Sequence, residues 1–207
     1  MIYQGFVTKK ERIEAIRQAH EKGQIGYTRE LCERYLRKNP DSGFVWLILA
    51  NNLIALSLYT EASAALDRAE ALVPDQPKKL ANVIAHRGHL AEAAGRFEEA
   101  GEYFLRAHEL DLDDATWLIF AGDAAGRNGE IEKSLELVTR ATLCPEGCID
   151  EAHFNRGGKL LVLKRYAEAA EAYRSALAID PTYESALRRL EDLEMIQKAK
   201  WRTRKPG

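Results

Sequence analysis

At 207 residues, 46% apolar and 30% charged, the chain lies in the range of globular proteins, which excludes a disordered, collagen-like or mucin-like polypeptide. A formal charge of −2 sets up no field strong enough to gather a polyanion, so nucleic acid is not expected as a partner. The longest apolar run, residues 44–50, falls far short of the roughly 20 residues a helix needs to cross a bilayer, so no membrane span is expected.

In chain order, residues 1–10 hold no cationic stretch followed by an apolar one; no signal peptide is expected, and the cytoplasm is the expected compartment. Ile2, Tyr3, Phe6 and Val7 make an apolar segment able to fold back as the molecule's own cap. Thr8 with Glu11 forms a capping box for a first helix. In the first unit, residues 9–41, the second helix carries the clearer signal, with Leu31, Leu36 and an Asn39-Pro40 terminator. The second unit, 43–75, opens on a helix that is apolar nearly all round and closes through Tyr59, Ala62, Ala69 and Pro74. Pro77 suits the first turn of a longer helix opening the third unit, 77–113, and residues 75–79 absorb a four-residue insertion. The fourth unit spans 114–148 and the fifth 150–181. Residues 182–200 place Leu187, Leu190, Leu193 and Ile196 at helical spacing, as a capping helix would. The basic tail, 201–207, reads as a solvated terminus.

These units share one register. Thr28, Ala62, Ala100, Ser134 and Ala169 are equivalent small residues, separated by 34, 38, 34 and 35 positions. Gly95-Arg96-Phe97 and Lys164-Arg165-Tyr166 repeat a turn and an aromatic before that small residue. Gly88, Phe104 and Ala107 in the third unit match Gly157, Tyr173 and Ala176 in the fifth. The pattern resembles the tetratricopeptide repeat, a helix–turn–helix of about 34 residues. The resemblance implies an all-α, right-handed α-solenoid of about five helix pairs plus a C-terminal capping helix, forming a single domain. It also implies a non-catalytic adaptor or scaffold that binds a peptide or partner protein in a concave groove lined by the first helix of each pair. On that basis Phe44, Leu47, Asn51 and Ile54 are expected to face a ligand from the second unit. His86, His89 and Glu92 would do so from the third, Asp123 and Arg127 from the fourth, and Phe154 and Leu161 from the fifth. The apolar first helix of the second unit is expected either to be covered by neighbouring helices and the N-terminal segment or to stand as an exposed binding face, with a homodimer through that unit left open. Some family members clamp acidic chaperone tails with lysine, asparagine and arginine. Leu47, His86, Thr116 and Phe120 stand where most of that clamp would be, which disfavours such a partner.

Two clusters offer other chemistry. Cys144, Cys148 and His153 could hold zinc, although a structural site needs four ligands and no fourth is evident. His86 and His89 lie three apart on one helical face, with Asp123 in the next unit. Neither has a nucleophile, an HExxH pattern or a phosphate-cradling glycine loop beside it. No catalytic residue and no cofactor are therefore expected. An odd cysteine count, Cys32 with Cys144 and Cys148, fits reduced thiols.

Overall fold

The computed structural model of the chain describes residues 8–203. The apolar segment at 1–7 and the end of the basic tail at 204–207 lie outside the described residues, as does the side chain of Ile196. Eleven α-helices account for most of the described chain: α1 (Lys9–Glu21), α2 (Ile25–Leu36), α3 (Gly43–Ala55), α4 (Tyr59–Ala71), α5 (Pro77–Ala93), α6 (Phe97–Leu110), α7 (Ala115–Arg127), α8 (Ile131–Ala141), α9 (Ile149–Val162), α10 (Tyr166–Ile179) and α11 (Glu184–Thr203). They fall into two compact units, Met1–Leu110 and Asp111–Gly207.

Local sequence sets each helix end. The side chain of Thr8 accepts from the Glu11 amide, and the Glu11 carboxylate accepts from the Thr8 amide, completing the expected capping box. Pro77 occupies the first turn of α5, which at 17 residues is the longest helix of its unit and takes up the inserted residues as an extra turn. The turn inside each pair places one residue in the left-handed region: Gly23, Ser57, Gly95, Gly129 and Lys164, with φ of 63°, 59°, 76°, 87° and 60°. These five share one repeat position. The next residue in each case donates its amide back to the last turn of the preceding helix, Gln24 to Ala19, Leu58 to Leu53, Arg96 to Ala91, Glu130 to Ala125 and Arg165 to Leu160, at 2.8–3.0 Å. Carbonyls that the helix end leaves open are thereby satisfied, and the chain reverses.

Within a pair, the helices meet where a small residue faces a large one. A Cβ added to Gly88 would lie 2.6 Å from Phe104 Cε1, one on Gly157 would lie 2.5 Å from Tyr173 Cε1, and one on Gly122 would lie 2.7 Å from Val138 Cγ1. The same two positions hold Ala50 and Leu66 in the second pair, and Ile16 and Cys32 in the first. In four of the pairs, as the first-helix residue grows from glycine to alanine to isoleucine, its second-helix counterpart shrinks from an aromatic to leucine to cysteine; the fourth pair, Gly122 with Val138, is smaller on both sides. All are buried. Outside the fourth pair, shared volume is thus held near constant, as close packing favours.

In the N-terminal unit, α1 packs on α2, α3 on α4 and α5 on α6, while α1 and α5 both touch α3, so the first helices form a layer of their own. Val45, Leu49, Leu53, Leu66, Val83 and Leu90 are among the residues of its core. Arg87 crosses from α5 to Asp67 and Glu70 at 2.7 and 2.6 Å, and the Tyr59 hydroxyl donates to the Ala93 carbonyl at 2.9 Å. In the C-terminal unit, α7 packs on α8, α9 on α10, and α11 on α10. Leu160, Ala169, Tyr173, Ala186 and Leu193 belong to its core. Ala186 and Leu193 of α11 are buried and Leu190 is half-buried, but Leu187 stands 42% exposed. The inward stripe of the capping helix therefore starts at Ala186 and not at Leu187. A small residue lets α11 approach α10 more closely than a leucine there would.

Candidate peptide-binding groove

In the N-terminal unit, α1, α3 and α5 enclose a groove of about 710 Å³, within the size range of ligand sites. Its walls include His20, Phe44, Leu47, Asn51, Asn82 and His86. α3 buries Val45, Ile48, Leu49, Ala50, Asn52 and Leu53, so it is covered on most sides by its neighbours. Its large exposed side chain is Phe44, in the first turn, which is 47% exposed and borders the groove. Leu47 and Asn51 follow at helical spacing, both half-buried. Beneath them Asn52 is buried, donating to the Ile48 carbonyl at 2.9 Å and meeting His20 Nδ1 at 3.3 Å.

The remaining expected site residues are placed as follows. His86 Nδ1 lies 2.7 Å from the Asn82 carbonyl, and burial holds its pKa below the usual histidine value. His89 meets the Phe104 ring at 5.0 Å between centroids and sits 3.3 Å from the Glu92 carboxylate. Ile54 packs against the N-terminal core. In the C-terminal unit Asp123 forms an ion pair with Lys159 at 3.0 Å, and Arg127 is exposed. Phe154 packs between Tyr173 and Tyr183, with centroids 5.6 and 5.0 Å away, and borders a hollow of about 300 Å³ with Arg188, Arg189 and Asp192. Leu161 packs against the C-terminal core.

His20 and Arg17 line the groove as well and are not among the expected site residues. The repeat register carried the signal: His20 is equivalent to Ile54, Glu92 and Leu161, and Arg17 to Asn51, His89 and Asp123. Weak resemblance in the first helix hid it.

The cysteine cluster has a structural use. The Glu146 carbonyl accepts from the Ala115 amide and the Glu146 amide donates to the Asp113 carbonyl, both at 3.0 Å, an isolated parallel bridge that ties the 142–148 loop to the start of α7. Gly147, at φ 93°, lies so close to Asp114 and Ala115 that no Cβ fits. Burial and nearby Asp114 raise the Cys144 thiol pKa, and burial with Glu151, Asp150 and Asp114 raises that of Cys148. Neither is primed as a thiolate. Among the described residues, no group of three or more His, Cys, Asp or Glu side chains is arranged to hold a metal ion. No described helix is long and apolar enough to cross a membrane.

An array of helix pairs with left-handed turns, a small–large seam and a first-helix layer defines an all-α solenoid. Tetratricopeptide repeat models match residues 86–147 and 150–183, and the chain belongs to the tetratricopeptide repeat family. Its fold is similar to that of the APC/C hetero-tetramer Cut9-Hcn1, at TM-score 0.67 and 17% identity over 90% of this chain, which spans 36% of that one. It is also similar to TTC0263, a thermophilic TPR protein in Thermus thermophilus, at 0.61 and 20% over 91% of this chain and all (100%) of that one. YrrB, a TPR protein with an unusual peptide-binding site, aligns at 0.56 and 16% over 86% of this chain and 89% of its own. No curated protein matches the sequence. Proteins of this family generally bind protein or peptide partners.

Proposed function

We propose that this chain is a non-catalytic cytoplasmic adaptor, its repeats acting as one domain, that holds a peptide or partner protein in the groove of the N-terminal unit. The observation that carries this is Phe44, a large aromatic left 47% exposed beside a concave site. Apolar surface of this kind stabilises a complex by leaving water when a partner arrives. Phe44 and Leu47 are the anchors, and Asn51 and His86 orient the chain laid over them. His89, Glu92 and Ile54 support these walls from behind. Asp123, Arg127, Phe154 and Leu161 belong to a second contact region in the C-terminal unit. YrrB's peptide-binding site lends the reading support by analogy of fold.

The test is affinity capture from native cell extract, followed by measurement of the captured protein's affinity for Phe44→Ala. We expect a loss of about 2 kcal/mol, roughly 30-fold, with a nearly unchanged melting temperature. Unaltered affinity moves the partner to another face. A second copy of the chain in the groove would show instead as self-association, weakened by Phe44→Ala.

A further inference from the structure

We infer that the groove of the N-terminal unit reads an uncharged main-chain amide of its bound peptide through opposed tautomers of His20 and His86, and so holds an extended apolar segment near neutral pH and releases it on acidification. This rests on the peptide-groove reading and names the chemistry of the occupant and its control.

The tautomers follow from the partners. The Asn82 carbonyl can only accept, so the His86 nitrogen 2.7 Å away, Nδ1, carries the proton. In the neutral ring Nε2 is then a bare lone pair, an acceptor. On His20 the logic reverses. The Asn52 amide nitrogen can only donate, and it faces His20 Nδ1 at 3.3 Å, so Nδ1 accepts and Nε2 carries the proton. Both rings line the same groove. It therefore offers one acceptor and one donor, the complement of a peptide N–H and C=O. Asn51, whose amide has no partner among the described residues, can supply another of each.

Charge selects the same occupant. Arg17 and Lys79 are offset by Glu21 and Asp41 along the walls, and Arg17 is engaged at 2.7 Å by Glu14. No net field favours an acidic or a basic peptide. Phe44, Leu47, Leu72 and Val83 instead favour apolar side chains on either side of the amide.

Acid would break this recognition at one atom. A proton on His86 Nε2 turns the acceptor into a donor, which cannot meet a peptide N–H. Burial is the largest influence against that proton; the hydrogen bond to the Asn82 carbonyl favours it, and His89 on its own helix and His20 on α1 oppose it, leaving the pKa below the usual value. α3 carries no titratable side chain, and α6 presents the Phe104 ring to His89. Neutral His86 is thus the state at pH 7, and the acceptor is lost only as pH falls below the usual histidine range.

The experiment uses the full chain and a random peptide library displayed on phage, selected at about pH 7.5. Synthetic copies of the selected peptides are then titrated against the parent, His86→Gln and Phe44→Ala. We expect uncharged apolar sequences whose affinity falls severalfold between about pH 6.5 and pH 5. His86→Gln, which keeps an acceptor but cannot take a proton, should bind almost independently of pH over that window. Binding that does not weaken on acidification, or weakens equally in His86→Gln, overturns the inference while leaving the groove intact. Peptides indifferent to Phe44→Ala, or no Phe44-dependent binder at all, sink the groove reading itself. Nitrogen-15 NMR of the free protein adds a readout without ligand: His86 should show the Nδ1–H form and His20 the Nε2–H form, and one shared tautomer would overturn the proposal.

Discussion

The seam between paired helices turns on single residues. Gly157 faces Tyr173 so closely that a Cβ would stand 2.5 Å from the ring, and the buried tyrosine has nowhere to move. Gly157→Ala should lower stability by about 1–3 kcal/mol through overpacking, read as a drop in melting temperature. Adding Tyr173→Leu recreates the Ala50 and Leu66 pairing found in the second pair, so the double variant should recover part of the loss. If it melts no higher than Gly157→Ala alone, constant shared volume is not what governs the seam. Turns give the opposite sign. Lys164 and Ser57 hold φ values of 60° and 59°, a conformation that is strained for residues with a Cβ. Lys164→Gly should therefore raise stability by about 1 kcal/mol, measured by denaturant titration.

At the scale of elements, the register predicts where helices start and stop because each pair reuses one turn and one seam. Exceptions lie where an element meets something outside its own repeat. The 142–148 loop contains two cysteines and reads in isolation as a metal or redox motif. It is held instead by backbone pairing to residues 113–115. Asp114 is central there, since its side chain also accepts from the Thr116 amide at 2.9 Å and caps α7. Asp114→Ala should cost about 1 kcal/mol of stability through the lost cap. Hydrogen exchange should show the amides at the start of α7 less protected than in the parent. Undiminished protection of those amides would remove Asp114 from this role. The capping helix shows the same limit from the other side: its spacing marked Leu187 as inward, but contact with α10 falls on Ala186.

Across the whole molecule, two partly buried histidines tie stability to pH. His86 and His153 both have pKa values held below the usual 6.5, in each case first by burial, with His153 also repelled by Arg156. A histidine whose folded pKa is depressed takes its proton more readily in the unfolded chain. Stability is therefore fully present above about pH 6.5 and is lost as pH falls below it, levelling off once the folded groups are protonated. The melting temperature should drop between about pH 7 and pH 5. In the His86→Gln variant it should drop less. An identical acid sensitivity would place the effect elsewhere. The groove, by contrast, is not a property of one repeat, because α1, α3 and α5 each supply only part of its lining.

The sequence by itself determined the class of fold, the helix pairs and the shared face of Phe44, Leu47, Asn51 and His86, since each depends on a periodic pattern that a helix projects onto one face. Only the tertiary structure decided which of those residues meet. Helical spacing gives a direction, whereas a neighbour's side chain decides whether that direction leads to solvent or to contact. His89 and Ile54 share the expected face with His86 and Asn51, yet His89 is drawn to Phe104 and Ile54 to the core. Phe154 is covered by Tyr173 and Tyr183, whereas Phe44 has no aromatic of that kind against it among the described residues and stays half open. His20 enters the groove because Asn52, buried one position past the expected Asn51, meets its ring. Such pairings depend on residues distant in the chain, and no local pattern encodes them.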